Sequence, residues 1–151
     1  MFKKLYDLNV IEGIVSYLED NTNKAKDGIL HLGCGKGEFA EILANSGFTK
    51  YHGTSNQPEE IKEAKALVPA FKTRFHKMDE PLSSAALKHK HDIIISLGPI
   101  DFGAIPSGQR LIVVTESDSY DNCCFGLSRL FQKGASTIQH ESHFVTYGVR
   151  A

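Results

Sequence analysis

Three glycines at alternate positions follow an apolar run near the start of the chain and form a possible ligand-binding turn. The run 29–32 has one polar member, His31, and Gly33, Gly35 and Gly37 come directly after it. Glycine lacks a Cβ, so the backbone there can take positive φ angles and approach a ligand, while a following helix offers unpaired N–H groups. The pattern therefore predicts a strand, a turn that binds a nucleotide-like ligand, and a helix.

The spacing of these glycines separates two classes of nucleotide site. In the dinucleotide pattern G-x-G-x-x-G the last glycine would fall on Glu38, whose carboxylate suits neither pyrophosphate nor close helix packing. The G-x-G-x-G order of residues 33–37, with Cys34 in second place, instead resembles motif I of the class I S-adenosylmethionine-dependent methyltransferases. On this motif alone, a structural turn or another nucleotide site stays open.

The composition sets limits on the function. A chain of 151 residues can bury its own core, and we expect one domain over residues 1–151. The formal net charge of −1 and the lack of a continuous basic tract do not favour nucleic-acid or membrane binding. The stretch 61–91 is basic. Solvent-exposed helix faces would account for most of its lysines and its arginine, and a phosphate-binding patch is the alternative. Its members are Lys62, Lys65, Lys72, Arg74, Lys77, Lys88 and Lys90.

The cysteines and the apolar runs bear on the compartment. Three cysteines, with Cys123 and Cys124 adjacent, do not make a disulfide framework, and adjacent side chains diverge too far on a helix to hold a metal together. The N-terminus lacks the apolar core of a signal peptide, and no run approaches the roughly 18 apolar residues of a membrane span. We expect a reduced cytoplasmic protein without a metal site.

Periodicity and turn residues predict alternating helices and strands. Asn9 is expected to cap the first helix, Gly47 to end the second, and Pro58 and Pro69 to begin and end the third. The predicted helices are 9–21, a short one after the glycines, one from 58, 84–89 and 121–133. The predicted strands are 29–32, 50–54, 73–77, 92–96, 110–115 and a closing pair within 136–150.

Strands separated by helices imply a parallel sheet that binds ligands at its carboxyl edge, beside the first strand. The closing strand pair has no helix between its members, and the methyltransferase fold ends in such an antiparallel hairpin. The resemblance thus covers nearly the whole chain. It implies an α/β, Rossmann-like three-layer sandwich with a mostly parallel seven-stranded sheet and an antiparallel C-terminal hairpin.

The resemblance implies a cofactor site around S-adenosylmethionine, with S-adenosylhomocysteine as the product. The loop of Gly33, Cys34, Gly35 and Gly37 would pack under the methionine part. At the end of the second strand, where relatives usually have an acid for the ribose hydroxyls, this chain has Ser55, followed by Asn56. A neutral hydroxyl forms weaker hydrogen bonds than a carboxylate, so the affinity should suffer. Further cofactor residues would be Met78, Asp79 and Glu80 after the third strand, and Ser96 and Gly98 after the fourth.

His31 is a second departure from the family. Members typically have an acid two residues before the first glycine, where it helps hold the ammonium group of the cofactor. An imidazole could do this only when neutral and only as a hydrogen-bond acceptor. The alternative, which we favour, is a core histidine hydrogen-bonded to a neighbouring loop.

The chemistry implied is methyl transfer by in-line displacement, which depends mainly on alignment and has no universal catalytic residue. Asp101 is a weak candidate for a general base, with a helix cap as its alternative. Residues 96–99 lack the Asp/Asn-Pro-Pro-aromatic signature of nucleobase amino methylation. We therefore predict a small-molecule acceptor. One alternative is a degenerate module that binds the cofactor or a protein partner without catalysis, and the protein partner could be a second copy of the chain. The other alternative is an RNA methyltransferase that uses the basic stretch.

Overall fold

The computed structural model describes residues 8–77, 91–96, 105, 108–116, 131–140 and 143–151. Three helices and seven strands lie in these ranges. The helices are α1 (Leu8–Asn21), α2 (Glu38–Asn45) and α3 (Pro58–Leu67), and a short 3₁₀ turn spans Pro69–Phe71. The strands are β1 (Ile29–Leu32), β2 (Tyr51–Ser55), β3 (Phe75–Lys77), β4 (Ile93–Ser96), β5 (Arg110–Glu116), β6 (Ser136–His140) and β7 (His143–Val149).

The strands form one sheet in the order β3-β2-β1-β4-β5-β7-β6. The pairs among β1 to β5 are parallel, whereas β7 runs antiparallel to both β5 and β6. The strand order reverses at β1, which lies between β2 and β4, and the loop after β1 therefore opens at the topological switch point. The predicted mostly parallel sheet with an antiparallel C-terminal hairpin is confirmed.

Both faces of the central parallel strands are buried, as expected for parallel strands, whereas residues 136–138 of the edge strand β6 are exposed. On one face, alternate strand residues such as Ile29, Tyr51 and Ile95 share a core cluster with side chains from all three described helices. Leu30 and Leu32 alternate with these residues and face the other side, where they too are fully buried. No helix within the described ranges is long and apolar enough to cross a bilayer.

The ends of α2 and α3 follow the sequence signals. Gly47 adopts φ 94°, its N–H donates to the Ala44 carbonyl, and the Phe48 N–H donates to the Leu43 carbonyl. This is the paired hydrogen bonding of a Schellman motif, so Gly47 ends α2 as predicted. Pro58 is the first residue of α3, which stops at Leu67, two residues before Pro69.

Several predicted boundaries are wrong. α1 begins at Leu8, so Asn9 lies inside the helix and not at its cap. β3 begins at Phe75 rather than at residue 73, because the Arg74 N–H donates to the Phe71 carbonyl in the turn after the 3₁₀ segment. The helix predicted for 121–133 does not extend to its expected end, since Phe131 forms an antiparallel bridge with Arg150. The rest of that helix, and the helix predicted for 84–89, fall outside the described residues.

Candidate functional site

The glycine loop between β1 and α2 has the predicted left-handed backbone. Gly33, Gly35 and Gly37 have φ angles of 83°, 57° and 91°. A Cβ on Gly37 would lie 3.0 Å from both the Cα and the Cβ of Ala64 in α3. Gly37 therefore both turns the chain and allows α3 to approach the start of α2.

The backbone amides of this loop divide into two groups. The N–H groups of Gly33 and Cys34 both donate to the Thr54 carbonyl at the end of β2, at 3.0 and 2.8 Å, and fix the loop to the sheet. The amides of Gly35 and Lys36 have no hydrogen-bond partner within the described part of the chain. The Gly37 N–H donates to the Cys34 carbonyl at 3.3 Å, which leaves the Gly35 and Lys36 amides of the loop free to bind a ligand at the carboxyl edge of the sheet.

A carboxylate from α3 lies at the end of β2. The buried Ser55 hydroxyl donates to Glu60 Oε1 at 2.8 Å and accepts from the Gln57 N–H at 3.1 Å. Glu60 Oε2 has no hydrogen-bond partner among the residues described. The position at which the sequence lacks the usual acid therefore has one, supplied from the first turn of the next helix.

The sequence reasoning missed this role of Glu60. A local signal could have revealed this role. A hydroxyl residue ends a strand two residues before a helix cap, and an acid occupies the third position of that helix. A side chain at that position points back toward the strand, because helical side chains tilt toward the N-terminus.

Cys34 is buried in the turn, and its thiol is held in the protonated form at neutral pH. Burial raises the pKa of its thiol to about 12, and the charge of Glu60 adds to the effect. The sulfur lies 3.6 Å from the Gly35 carbonyl oxygen, to which it donates weakly. The thiol stays protonated, consistent with a small side chain that fits the turn.

His31 lies beneath the loop and is fully buried. Its Nδ1 is 2.8 Å from the hydroxyl of Tyr51 on β2, and its ring packs edge-on against Phe39 of α2. Burial lowers the pKa of His31 to about 3, so the imidazole is neutral, and its Nε2 has no partner among the described residues. This environment favours the core-histidine alternative, although the bonding partner belongs to a strand and not to a loop.

Gly53 provides the space for this arrangement. It pairs with His31 across β1 and β2, and a Cβ there would lie 2.7 Å from the Tyr51 hydroxyl oxygen and 2.9 Å from Cys34 Cβ. The sequence analysis did not single out Tyr51 or Gly53, because nothing local in the sequence indicates that either lies under the loop.

The structure brings some of the other predicted site residues to the same edge. Ser96 ends β4 and is buried beside Leu32, whereas Asn56 is exposed just after β2. The remaining predicted residues, Met78, Asp79, Glu80, Gly98 and the candidate base Asp101, lie outside the described residues, as do Cys123 and Cys124.

Strand order, hairpin and loop together define the fold of the class I S-adenosylmethionine-dependent methyltransferases, and solved structures agree. The chain is similar to the methyltransferase domain of a bacterial Hen1 protein, with a TM-score of 0.69 and 13% identity over 95% of this chain and 98% of that one. It is also similar to a Corynebacterium diphtheriae domain assigned as precorrin-6Y C5,15-methyltransferase, with a TM-score of 0.65 and 14% identity over 98% of this chain and 99% of that domain.

A third similar structure was solved with a ligand. This is magnesium protoporphyrin IX methyltransferase from Synechocystis PCC 6803 with bound S-adenosylmethionine, at a TM-score of 0.61 and 17% identity over 93% of this chain and 78% of that one. No protein-family model matches the sequence, and a comparison with curated protein sequences finds no match. At such identities the likeness establishes the fold.

Proposed function

We propose that residues 1–151 form one domain that binds S-adenosylmethionine at the glycine loop and transfers its methyl group to a small-molecule acceptor. The observation that carries the proposal is the pair of free amides, those of Gly35 and Lys36, next to the available oxygen of Glu60. The cofactor would supply an activated methyl group. The chain would hold it, with the amides on polar atoms of the methionine part and Glu60 on the ribose hydroxyls.

In this proposal, Ser55 positions Glu60 and does not bind the ribose alone. A carboxylate that accepts hydrogen bonds binds hydroxyls about twice as strongly as a neutral oxygen does. His31 would support the loop from below through Tyr51 without touching the cofactor. Asn56, Ser96 and Gly98 remain proposed site residues, as do Met78, Asp79 and Glu80.

The small-molecule acceptor is supported by two similarities and by the charge. Two of the similar structures carry the names of enzymes for magnesium protoporphyrin IX and precorrin-6Y, which are small molecules. The net charge of −1 offers little general attraction for a polyanionic acceptor such as RNA.

Calorimetric titration with S-adenosylhomocysteine tests the site. Glu60→Gln removes the charge that we assign to the ribose, and losing a hydrogen bond to a charged group, about 1.5–3 kcal/mol, should weaken binding roughly 10- to 100-fold. Glu59→Gln is the matched control, because Glu59 is exposed, has the same charge and lies one residue away. Equal losses in the two variants would refute the role of Glu60, and no binding at millimolar ligand would refute the site.

Methyl transfer needs its own test. The protein is incubated with methyl-labelled S-adenosylmethionine and separate small-molecule and RNA fractions of a cell extract. Label in a small product supports the proposed acceptor class, whereas label in RNA contradicts it. Cofactor binding with no label transferred to either fraction would favour the degenerate binding module.

A further inference from the structure

A cavity of about 730 Å³ lies at the amino edge of the sheet, opposite the glycine loop. Its lining comes from residues just before β1, β2, β3 and β4 and from the second residues of β2 and β3. Since β1 has four residues, the two edges are roughly 13 Å apart. This amino-edge cavity is therefore separate from the proposed cofactor site. It is lined by Lys26, Asp27, Gly28, Lys50, His52, Thr73, Arg74, His76, His91 and Asp92.

The cavity lining carries three cations that lack an ion-pair partner among the described residues. Lys26, Lys50 and Arg74 form no ion pair with any residue in the described ranges. Arg74 is half-buried, whereas Lys26 and Lys50 are exposed. These three cations line one concave space together with two carboxylates, and the excess of positive charge favours an anionic occupant.

The two carboxylates of the cavity already bind backbone amides. Asp27 Oδ2 accepts from the Asn23 N–H, and Asp92 Oδ2 accepts from the Gly28 N–H, both at 2.7 Å. These bonds brace the chain where it enters β1. Three cations against two carboxylates leave the lining with a net positive charge before any histidine is protonated.

The histidines form one wall of the cavity. His52 Nδ1 and His76 Nε2 are 3.1 Å apart, and the ring planes differ by only 14° with centroids 5.3 Å apart. That centroid separation is close to the N···N distance plus the two ring radii, so the rings lie end to end and share an in-plane N–H···N bond. His91, which is buried, packs edge-on to His52 with centroids 5.5 Å apart.

This geometry argues against a metal and for an anion. The two facing nitrogens are occupied by each other, and no group of three or more potential ligands suited to a metal occurs within the described part of the chain. Arginine and lysine are the usual ligands of phosphate oxygens, and imidazole N–H groups add further donors. The volume falls in the range typical of small-molecule sites.

We propose that the amino-edge cavity binds a phosphate-bearing small molecule, with Lys50 and Arg74 on the phosphate and the histidine wall beside it. A single concave lining fits a compact ligand better than RNA, which requires an extended basic track. The proposal does not depend on S-adenosylmethionine binding at the opposite edge.

The test is a titration with inorganic phosphate, without S-adenosylmethionine, followed by the imidazole proton resonances. We expect saturable shifts for His52, His76 and His91, and none for His31, which is buried under the loop at the other edge. Sodium chloride at the same ionic strength should not reproduce them. Shifts that never saturate, or that chloride reproduces, would overturn the proposal.

Paired variants locate the site. Lys50→Gln with Arg74→Gln should weaken phosphate binding by at least about tenfold, because charge-assisted bonds are lost. Lys62→Gln with Lys65→Gln makes the same change in net charge at exposed positions of α3 outside the cavity, and should leave the affinity unchanged. Equal losses in both pairs would refute the site, as would binding of single-stranded RNA that inorganic phosphate does not displace. Circular dichroism confirms that each variant is folded.

Discussion

Replacement of Gly37 by alanine tests whether the contact with α3, and not only the backbone angle, requires glycine in the loop. Gly134 supplies the matched control. Its φ of 98° is close to the 91° of Gly37, but a Cβ there would meet nothing within 4 Å. Gly134→Ala therefore measures the backbone cost alone.

The magnitudes follow from these two environments. A non-glycine residue in the left-handed region costs about 1–2 kcal/mol, and both variants incur this cost. In Gly37→Ala the new Cβ would also lie 3.0 Å from the Cα and Cβ of Ala64, so α3 must shift. Overpacking of this kind costs about 1–3 kcal/mol more. We expect losses in the free energy of unfolding of about 2–5 kcal/mol for Gly37→Ala and about 1–2 kcal/mol for Gly134→Ala.

Urea unfolding at fixed pH measures both losses, provided that the slopes of the transitions agree between variants. A shift of α3 also displaces Glu60, so Gly37→Ala should weaken S-adenosylhomocysteine binding while Gly134→Ala should not. If the two variants lose the same stability, the close approach of Ala64 plays no part and the reasoning is refuted.

Three further predictions concern the side chains beneath the loop. Tyr51→Phe should lower the free energy of unfolding by about 1–3 kcal/mol in urea unfolding, because His31 loses its buried partner. The control is Tyr17→Phe, which should cost less than about 0.5 kcal/mol, because Tyr17 is half-buried and its hydroxyl has no hydrogen bond among the described residues. The pKa of His31 falls from 6.5 unfolded to about 3 folded, so its contribution to stability is complete above pH 6.5 and is lost as the pH falls toward 3. Between about pH 4 and pH 6, His31→Asn should therefore reduce the slope of the unfolding free energy against pH by up to about 1.4 kcal/mol per pH unit. An unchanged slope would contradict the buried neutral imidazole. Cys34, with its pKa raised to about 12, should react with iodoacetamide only in denaturant, and peptide mass mapping that finds it labelled in the folded protein would contradict its burial.

Local patterns in the sequence predicted most of the described backbone. The apolar run 29–32 and the three isoleucines within 92–96 predicted two central strands, and Gly33, Gly35 and Gly37 predicted the loop between β1 and α2. These predictions succeed because strand periodicity and positive φ angles depend on residues next to one another. Boundaries failed for two reasons: a local turn bond at Arg74 delays the start of β3, and a bridge to the distant Arg150 holds Phe131 outside the predicted helix.

The contents of both sites depend on the tertiary structure. Gly37 meets Ala64 only because α3 packs against the start of α2, and Tyr51 meets His31 only because β2 lies beside β1. His52 and His76 are 24 residues apart, and the register that pairs Thr54 with His76 brings them together. The sequence by itself determined the order of the described elements and the glycine turn after β1, since those follow from short-range backbone preferences. Strand register and helix packing decided which side chains meet, because these contacts join residues that are distant along the chain.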